Sequence, residues 1–126
     1  MAEAFEVKAK ARFVPISPRK VRLVVDAVRG KDAQEALDIL RFMPQRAAEH
    51  VYKLVESAVA NAEQNFGLEI DELYVSRIFA DEGPRHRKAP HGGRFAGRGR
   101  FRPIVRRSSH ITVVLAEREV VEYGDF

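Results

Sequence analysis

Residues 44–66, PQRAAEHVYKLVESAVANAEQNF, form the longest stretch of this sequence with one unbroken period. The apolar residues recur at spacings of three and four, which predicts a single amphipathic helix with one buried face. They are Ala47, Ala48, Val51, Leu54, Val55, Ala58, Val59 and Ala62. At 1.5 Å per residue this helix would be roughly 30–35 Å long, and Gly67 is expected to end it. The many alanines indicate close packing against a neighbouring element.

Two shorter helices are predicted on the N-terminal side of this segment. Ser17 followed by Pro18 is typical of an N-cap and a first helical position, and Gly30 is expected to be a left-handed C-terminal cap. The apolar stripe of this helix would comprise Val21, Leu23, Val24, Val25 and Val28. Asp32 and Glu35 predict a capping box that opens the second helix.

Three segments have the character of β-strands. Residues 5–13 alternate strictly, and their apolar side would comprise Phe5, Val7, Ala9, Ala11 and Phe13. Residues 73–80 and 110–116 are rich in branched and aromatic side chains, as strands are. Because the helices lie between the first strand and the other two, we expect an α+β fold. Its three helices would pack on one face of a three-stranded antiparallel sheet, from which a long β-hairpin extends.

The chain has 126 residues, which fits a single domain spanning 1–126. We expect a globular body of about residues 5–82 and 108–118, a hairpin of about 83–107 and a short tail, 119–126. The absence of cysteine excludes disulfides and thiol nucleophiles. No apolar run approaches 18 residues, and the N-terminus lacks the order of a secretory signal. A soluble intracellular protein is therefore expected.

The formal net charge of +4 conceals two basic blocks and one acidic block. Residues 8–31 hold eight basic residues against one acid, and residues 84–107 hold nine basic residues and no acid. Residues 32–83 hold four basic and eleven acidic residues, and the exposed side of the long helix is expected to carry Glu49, Glu56 and Glu63. Blocks of one sign create a directed surface potential, and the usual partner of a basic block is a polyanion.

The 84–107 segment, PRHRKAPHGGRFAGRGRFRPIVRR, has the composition of an RNA-binding extension. Its eight arginines against one lysine favour phosphate, which the planar guanidinium binds with two parallel hydrogen bonds. Phe95 and Phe101 are suited to stacking on unpaired bases. As a hairpin, each leg of about 12 residues would reach roughly 35–40 Å.

Candidate catalytic or metal-binding groups are weak. His86 and His91 lie among cations, and Asp81-Glu82 is typical of a strand end and turn. Ser108, Ser109 and His110 are adjacent, but neighbouring strand residues point to opposite faces. We therefore predict no catalytic residue, no metal site and no cofactor.

Six motifs, in order along the chain, resemble ribosomal protein twenty-two of the large subunit, of bacterial or organellar type. They are SPRKVRLV at 17–24, VRGK at 28–31, ALDIL at 36–40, ESAVANAE at 56–63, DEGP at 81–84 and RRSSHITVV at 106–114. The resemblance covers about residues 5–117.

This resemblance implies a structural, non-enzymatic constituent of the large subunit, in the cytoplasmic or an organellar ribosome. Its body and hairpin would bind large-subunit ribosomal RNA (rRNA), help the subunit assemble, and line the nascent-peptide exit tunnel with the hairpin tip. Further implied partners are neighbouring ribosomal proteins and the nascent polypeptide, with no membrane and no obligate homo-oligomer. At the tip, HGG after Pro90 departs from the family pattern, so tip residues are carried over as RNA contacts only.

The residues expected to contact rRNA come from both basic blocks and from the matched motifs. They are Lys8, Lys10, Arg12, Ser17, Pro18, Arg19, Lys20, Arg22, Arg29, Lys31, Arg85, Arg87, Lys88, Arg94, Arg98, Arg100, Arg102, Arg106, Arg107, Ser109 and His110. Two other classes of protein remain alternatives. A free nucleic-acid chaperone or DNA-binding regulator would use the same basic loop, and an enzyme acting on RNA would need an acid/base or metal centre.

Overall fold

The computed structural model describes residues 6–87, 93–96, 98, 100–103 and 105–118. The body comprises strand β1 (Glu6–Val14), helices α1 (Pro18–Val28), α2 (Ala33–Phe42) and α3 (Arg46–Phe66), and strand β2 (Leu73–Glu82). The hairpin follows with β3 (His86–Arg87), β4 (Gly93–Ala96), β5 (Arg100–Pro103) and β6 (Val105–Arg106), and strand β7 (Ser109–Glu117) returns to the body. No helix of the described part is long and apolar enough to cross a membrane.

The sheet has the order β1-β7-β2, and both pairings are antiparallel. Ile111, Val113 and Leu115 project from the central strand β7 into the core and are fully buried. Helix α3 contacts β1 and β7, and α1 contacts β2, so the helices cover this face of the sheet. The predicted α+β fold is confirmed.

Helix α3 begins at Arg46 and ends at Phe66, and Gly67 caps it with a left-handed φ of 64°. All eight apolar residues predicted for its buried face are buried. Ala58 and Ala62 are fully buried, which lets the helix backbone lie close to the sheet and to its neighbouring helices. Glu49 and Glu56 are exposed, as predicted.

Helix α1 differs from its prediction at one position of the apolar stripe. Val21, Val24, Val25 and Val28 are buried, but Leu23 is 66% exposed. Spacings of three and four place the four valines on one helix face, and Leu23 lies away from it. Gly30 has the expected left-handed φ of 79°.

The predicted capping box at the start of α2 is wrong in its bonding. Asp32 is the N-cap residue, but its side chain makes no capping hydrogen bond. The carboxylate instead pairs with Arg118, whose guanidinium nitrogen lies 2.7 Å from Oδ1. This ion pair ties the end of β7 to the start of α2.

The α1–α2 region covers the free edge of β2, which would otherwise expose unpaired backbone groups. The Gly30 N–H donates to the Val75 carbonyl (3.0 Å), and the Val75 N–H donates to the Lys31 carbonyl (2.9 Å). Further along the edge, Arg29 donates to the Ile78 carbonyl (2.9 Å) and Arg22 to the Ala80 carbonyl (3.2 Å). Two arginines expected to contact RNA therefore complete the sheet edge.

We expect Arg29→Ala to lower the free energy of unfolding by about 1–2 kcal/mol, because it removes a charge-assisted bond to a half-buried carbonyl. Arg19→Ala is the matched control, since Arg19 lies on the same helix and is exposed. Urea unfolding of both variants measures the difference. Equal stability of the two variants would show that the edge bond has no structural role.

Strand β1 also departs from strict alternation. Ala11 pairs with Ile111 and Val14 with Ser109, so the register shifts between them. Phe13 lies in this bulge with a positive φ of 58° and is 59% exposed. The prediction that Phe13 faces the core is therefore wrong, because the bulge turns it outward. Phe5 lies outside the described residues.

The described part of the hairpin contains two antiparallel pairings. Strand β3 pairs with β6 at its base, and β4 pairs with β5 from Gly93↔Pro103 to Ala96↔Arg100. Arg98 lies in the turn between β4 and β5 with a φ of 60°, which is rare outside glycine.

The hairpin is attached to the sheet by two residue pairs. The Gly83 N–H donates to the Ser108 carbonyl (2.9 Å), and the Ser108 hydroxyl donates to the Pro84 carbonyl (2.7 Å). A Cβ at position 83 would lie 2.5 Å from the Ser108 hydroxyl and 3.2 Å from its carbonyl group. Glycine is therefore needed at position 83 for the two legs to approach this closely.

Candidate nucleic-acid interface

A cleft of about 730 Å³ lies at the base of the hairpin. The loop after β1, the first turns of α1 and α3, and the segment between β6 and β7 meet there. The lining residues are Pro15, Ile16, Ser17, Lys20, Leu23, Gln45, Arg46, Ala47, Arg106 and Arg107. The two basic blocks, separate in sequence, therefore share one surface.

Two buried serines hold the walls of this cleft together. The Ser109 hydroxyl donates to the Ile16 carbonyl (2.5 Å), which fixes the loop before α1 against the start of β7. The Ser108 hydroxyl fixes the hairpin base through Pro84. Ser17 begins α1 as its N-cap and places Lys20 in the first turn. The backbone geometry of the cleft thus depends on neutral, buried hydrogen bonds.

The chemistry of the cleft is cationic. Lys20, Arg46, Arg106 and Arg107 are all exposed, and no carboxylate is among the lining residues that the structure describes. The N-termini of α1 and α3 add the partial positive charge of their free N–H groups. Leu23 gives the cleft an apolar wall, which explains its exposure. Such a surface suits a phosphate chain with an attached base or sugar.

Arg46 is a cleft residue that the sequence did not indicate. It lies in the acidic block of residues 32–83, where it is one of four basic residues among eleven acidic ones. The available signal was its position two residues after Pro44, where the sequence predicts the start of this helix, because a residue there lies at a helix end rather than on the acidic face.

The remaining predicted contact residues occupy several other surfaces. Lys8, Lys10 and Arg12 lie on β1 and are exposed, and Arg19 lies beside Lys20 on α1. Arg87, Arg94, Arg98, Arg100 and Arg102 lie along the hairpin, and Lys88 is outside the described residues. Of the predicted residues whose side chains the structure describes, four therefore line the cleft: Ser17, Lys20, Arg106 and Arg107.

Several predicted contacts already have partners within the chain. The side chain of Arg85 pairs with Glu82 (2.9 Å) and that of Arg29 with Asp26 (2.7 Å), whereas Lys31 is held at the β2 edge by its backbone carbonyl and its side chain is exposed. Pro18 and Ser109 are buried. Their burial suits them to support the walls of the cleft, and a direct contact of either residue with rRNA stays a prediction.

Ser109 and His110 are neighbours in β7 and point to opposite faces of the sheet, as predicted, whereas Ser108 lies just before this strand. The two hydroxyls donate to the carbonyls of Pro84 and Ile16, whereas His110 Nδ1 accepts the Phe13 N–H (3.1 Å) on the other face of the sheet. Each side chain serves a different backbone partner. The three residues therefore hold the fold together at the hairpin base.

The comparison with known proteins agrees with this geometry. The model of the family described as ribosomal protein L22p/L17e matches residues 9–116, which include the body, the cleft and the hairpin. The chain belongs to this ribosomal protein family. The resemblance in the sequence motifs is thereby confirmed.

Two bacterial relatives show how completely the chain matches. "Large ribosomal subunit protein uL22" of Syntrophotalea carbinolica is 55% identical over 115 residues, which cover 90% of this chain and 99% of the relative. The protein of the same name from Caldicellulosiruptor saccharolyticus is 48% identical over 117 residues, 93% of both chains. The family match thus includes every element that forms the cleft.

Proposed function

We propose that this chain is a structural, non-enzymatic constituent of the large ribosomal subunit that binds large-subunit rRNA and aids its assembly. The cleft at the hairpin base carries the proposal, because there the two basic blocks converge without a lining carboxylate among the described residues. Its relatives are named as large-subunit proteins. The bacterial relatives favour the cytoplasmic ribosome as its location.

The binding energy would come from many phosphate contacts rather than from one pocket. Each cation that neutralises a phosphate releases condensed counterions, so affinity falls steeply with salt. At the base of the hairpin, the phosphate backbone of the rRNA would contact four cations: Lys20, Arg46, Arg106 and Arg107. Arg19 would extend this contact along α1, and the hairpin arginines would continue it away from the body.

The hairpin would act as the part that penetrates RNA. It contains two paired segments and the Arg98 turn, and none of the core residues that the structure describes belongs to it. Such an extension becomes ordered against RNA because phosphate neutralises its repelling charges. We infer that the body and hairpin divide near residues 83 and 107, and that the tip reaches the exit tunnel and its nascent polypeptide.

The acidic side of the body would face solvent or neighbouring ribosomal proteins. Glu49 and Glu56 on α3, together with Asp38 on α2, are exposed and are not among the residues that line the cleft. This sign of charge repels rRNA, so it orients the chain with its cleft and hairpin inward. The single body has a complete core of its own, which agrees with a chain that needs no second copy to fold.

A sucrose gradient of cells that produce the tagged chain tests this proposal. We expect the chain to sediment with large subunits and with whole ribosomes, and to prefer large-subunit rRNA over duplex DNA of equal length. A free nucleic-acid chaperone would instead remain near the top of the gradient and bind duplex DNA with comparable affinity. That result would overturn the proposed function.

A further inference from the structure

The sheet has an outer face, opposite the helices. Side chains of the protein itself cover the half of this face that lies away from the hairpin. Arg77 on β2 reaches Glu6 on β1, with 3.3 Å between Nη2 and Oε2, and Val114 of the intervening β7 is buried. At the same end of the sheet, the Arg118 guanidinium lies 5.1 Å from the centre of the Tyr74 ring. This half is therefore already occupied.

The other half of this face, nearest the hairpin, is open and aromatic. Phe79 projects outward from β2 and is 40% exposed, and Phe13 projects from the β1 bulge. In the strand register, Phe79 lies opposite Thr112 on β7, and Lys10 on β1 lies opposite Thr112 from the other side. Two phenylalanines exposed on one sheet face, next to a cationic strand, indicate a binding surface.

The conformation of Phe13 has no explanation in the core. A bulky residue with a positive φ is strained, and such strain persists where the surroundings hold it in place. The Phe13 N–H bonds to His110 Nδ1 (3.1 Å), and the two rings meet edge to face with centres 5.0 Å apart. The result is a fixed pair of rings at the surface, beside the loop that leads into the cleft.

The charges around these rings favour a nucleic acid. Lys10 and Arg12 are exposed on the β1 side, and Lys8 continues the row. Asp81 pairs with His110 in the register and lies on the opposite side, at β2. Phosphates would therefore follow β1, with bases toward the rings. An aromatic side chain offers its face only to a base that is free of a duplex.

We propose that this open half binds unpaired nucleotides of RNA, with Phe79 and the Phe13–His110 pair as stacking surfaces. Lys10 and Arg12 contact the adjoining phosphates. The inference rests on the proposed function and extends it to residues outside both the cleft and the hairpin. Aromatic residues read no base identity by stacking alone, so the site selects single-stranded RNA rather than a sequence.

Tryptophan fluorescence tests the site, since the chain contains no tryptophan. Phe79→Trp introduces one fluorophore at the open half, and Phe42→Trp is the control, because Phe42 lies on α2 and is 82% exposed. The probe is a mixed-sequence single-stranded RNA of about 12 nucleotides. We expect a saturable loss of fluorescence on addition of this RNA for Phe79→Trp and none for Phe42→Trp. We also expect Phe79→Ala to reduce the affinity for this RNA roughly 5- to 150-fold. Unchanged fluorescence on full binding of the probe would overturn the inference.

Photo-cross-linking separates this inference from the proposed function. A photoreactive phenylalanine analogue at position 79 is expected to cross-link to rRNA in assembled large subunits. A cross-link to another protein in those subunits would overturn the RNA site and leave the proposed function intact. Failure of the full chain without the analogue to enter large subunits would instead contradict the proposed function.

Discussion

Replacing residues 85–106 by Asn-Gly is expected to leave the body folded and to reduce its incorporation into large subunits at least roughly ten-fold in competition with the full chain. The replacement removes eight cations and no acid. A two-residue turn suits the junction, because Gly83 and Ser108 are already hydrogen-bonded partners.

The body should tolerate this change, since the described core residues all lie outside the deleted range. We expect the free energy of unfolding to remain within about 1 kcal/mol of the full chain, because shortening a loop costs little. Circular dichroism and urea unfolding verify the fold before the competition is measured. Normal incorporation at equal concentration would refute the role of the hairpin in assembly.

The largest expected effect on stability is that of Ile111→Ala. Ile111 is fully buried at the centre of the sheet and pairs with Ala11 on one side and Ala80 on the other. Its truncation removes buried apolar surface and leaves a cavity under the helices, which costs about 2–5 kcal/mol.

Ile111→Val provides a graded comparison at the same position. It removes one methylene and should cost about 0.5–1.5 kcal/mol. The measurement is the midpoint of urea unfolding at constant slope. If both variants lost equal stability, cavity size would not be the cause, and the packing assigned to β7 would be wrong.

The buried faces of α1 and α3 could be predicted because a single interaction, the burial of apolar side chains against the sheet, determines them. The eight apolar positions of α3 and the four valines of α1 each follow the helical period, and burial against the sheet selects that face. Periodicity alone does not place β7 at the centre of the sheet. That position follows from the pairing of both neighbouring strands with β7.

The sequence-based predictions were wrong where the conformation of a residue depends on a partner far along the chain. Asp32 has the pattern of a capping box, but the distant Arg118 lies close enough to take its carboxylate. Phe13 continues an alternating pattern, and the bulge that turns it outward depends on His110, 97 residues away. Such choices depend on tertiary distances, which a local pattern does not contain.

The candidate site was predictable in charge but not in shape. Counting charged residues along the sequence identified both basic segments, and the cleft brings together residues from each of them. The same count of charges placed Arg22 and Arg29 among the RNA contacts, whereas in the structure both donate to backbone carbonyls at the edge of the sheet. It did not indicate Arg46, which lies in the cleft at the start of α3. The net charge of a block says which polymer it attracts, and only the fold says which of its cations share a surface.

The salt dependence of rRNA binding tests most directly whether the cleft is the phosphate-binding surface. We compare the double variant Arg46→Ala/Arg107→Ala with Arg41→Ala/Lys53→Ala, which removes the same charge from residues outside the cleft. The slope of log affinity against log salt concentration should become shallower by about 1.5 in the cleft variant, since each lost phosphate contact removes about 0.7–0.9. The control should keep the slope of the unaltered chain. Equal slopes in the two variants would contradict the assignment of the cleft to RNA.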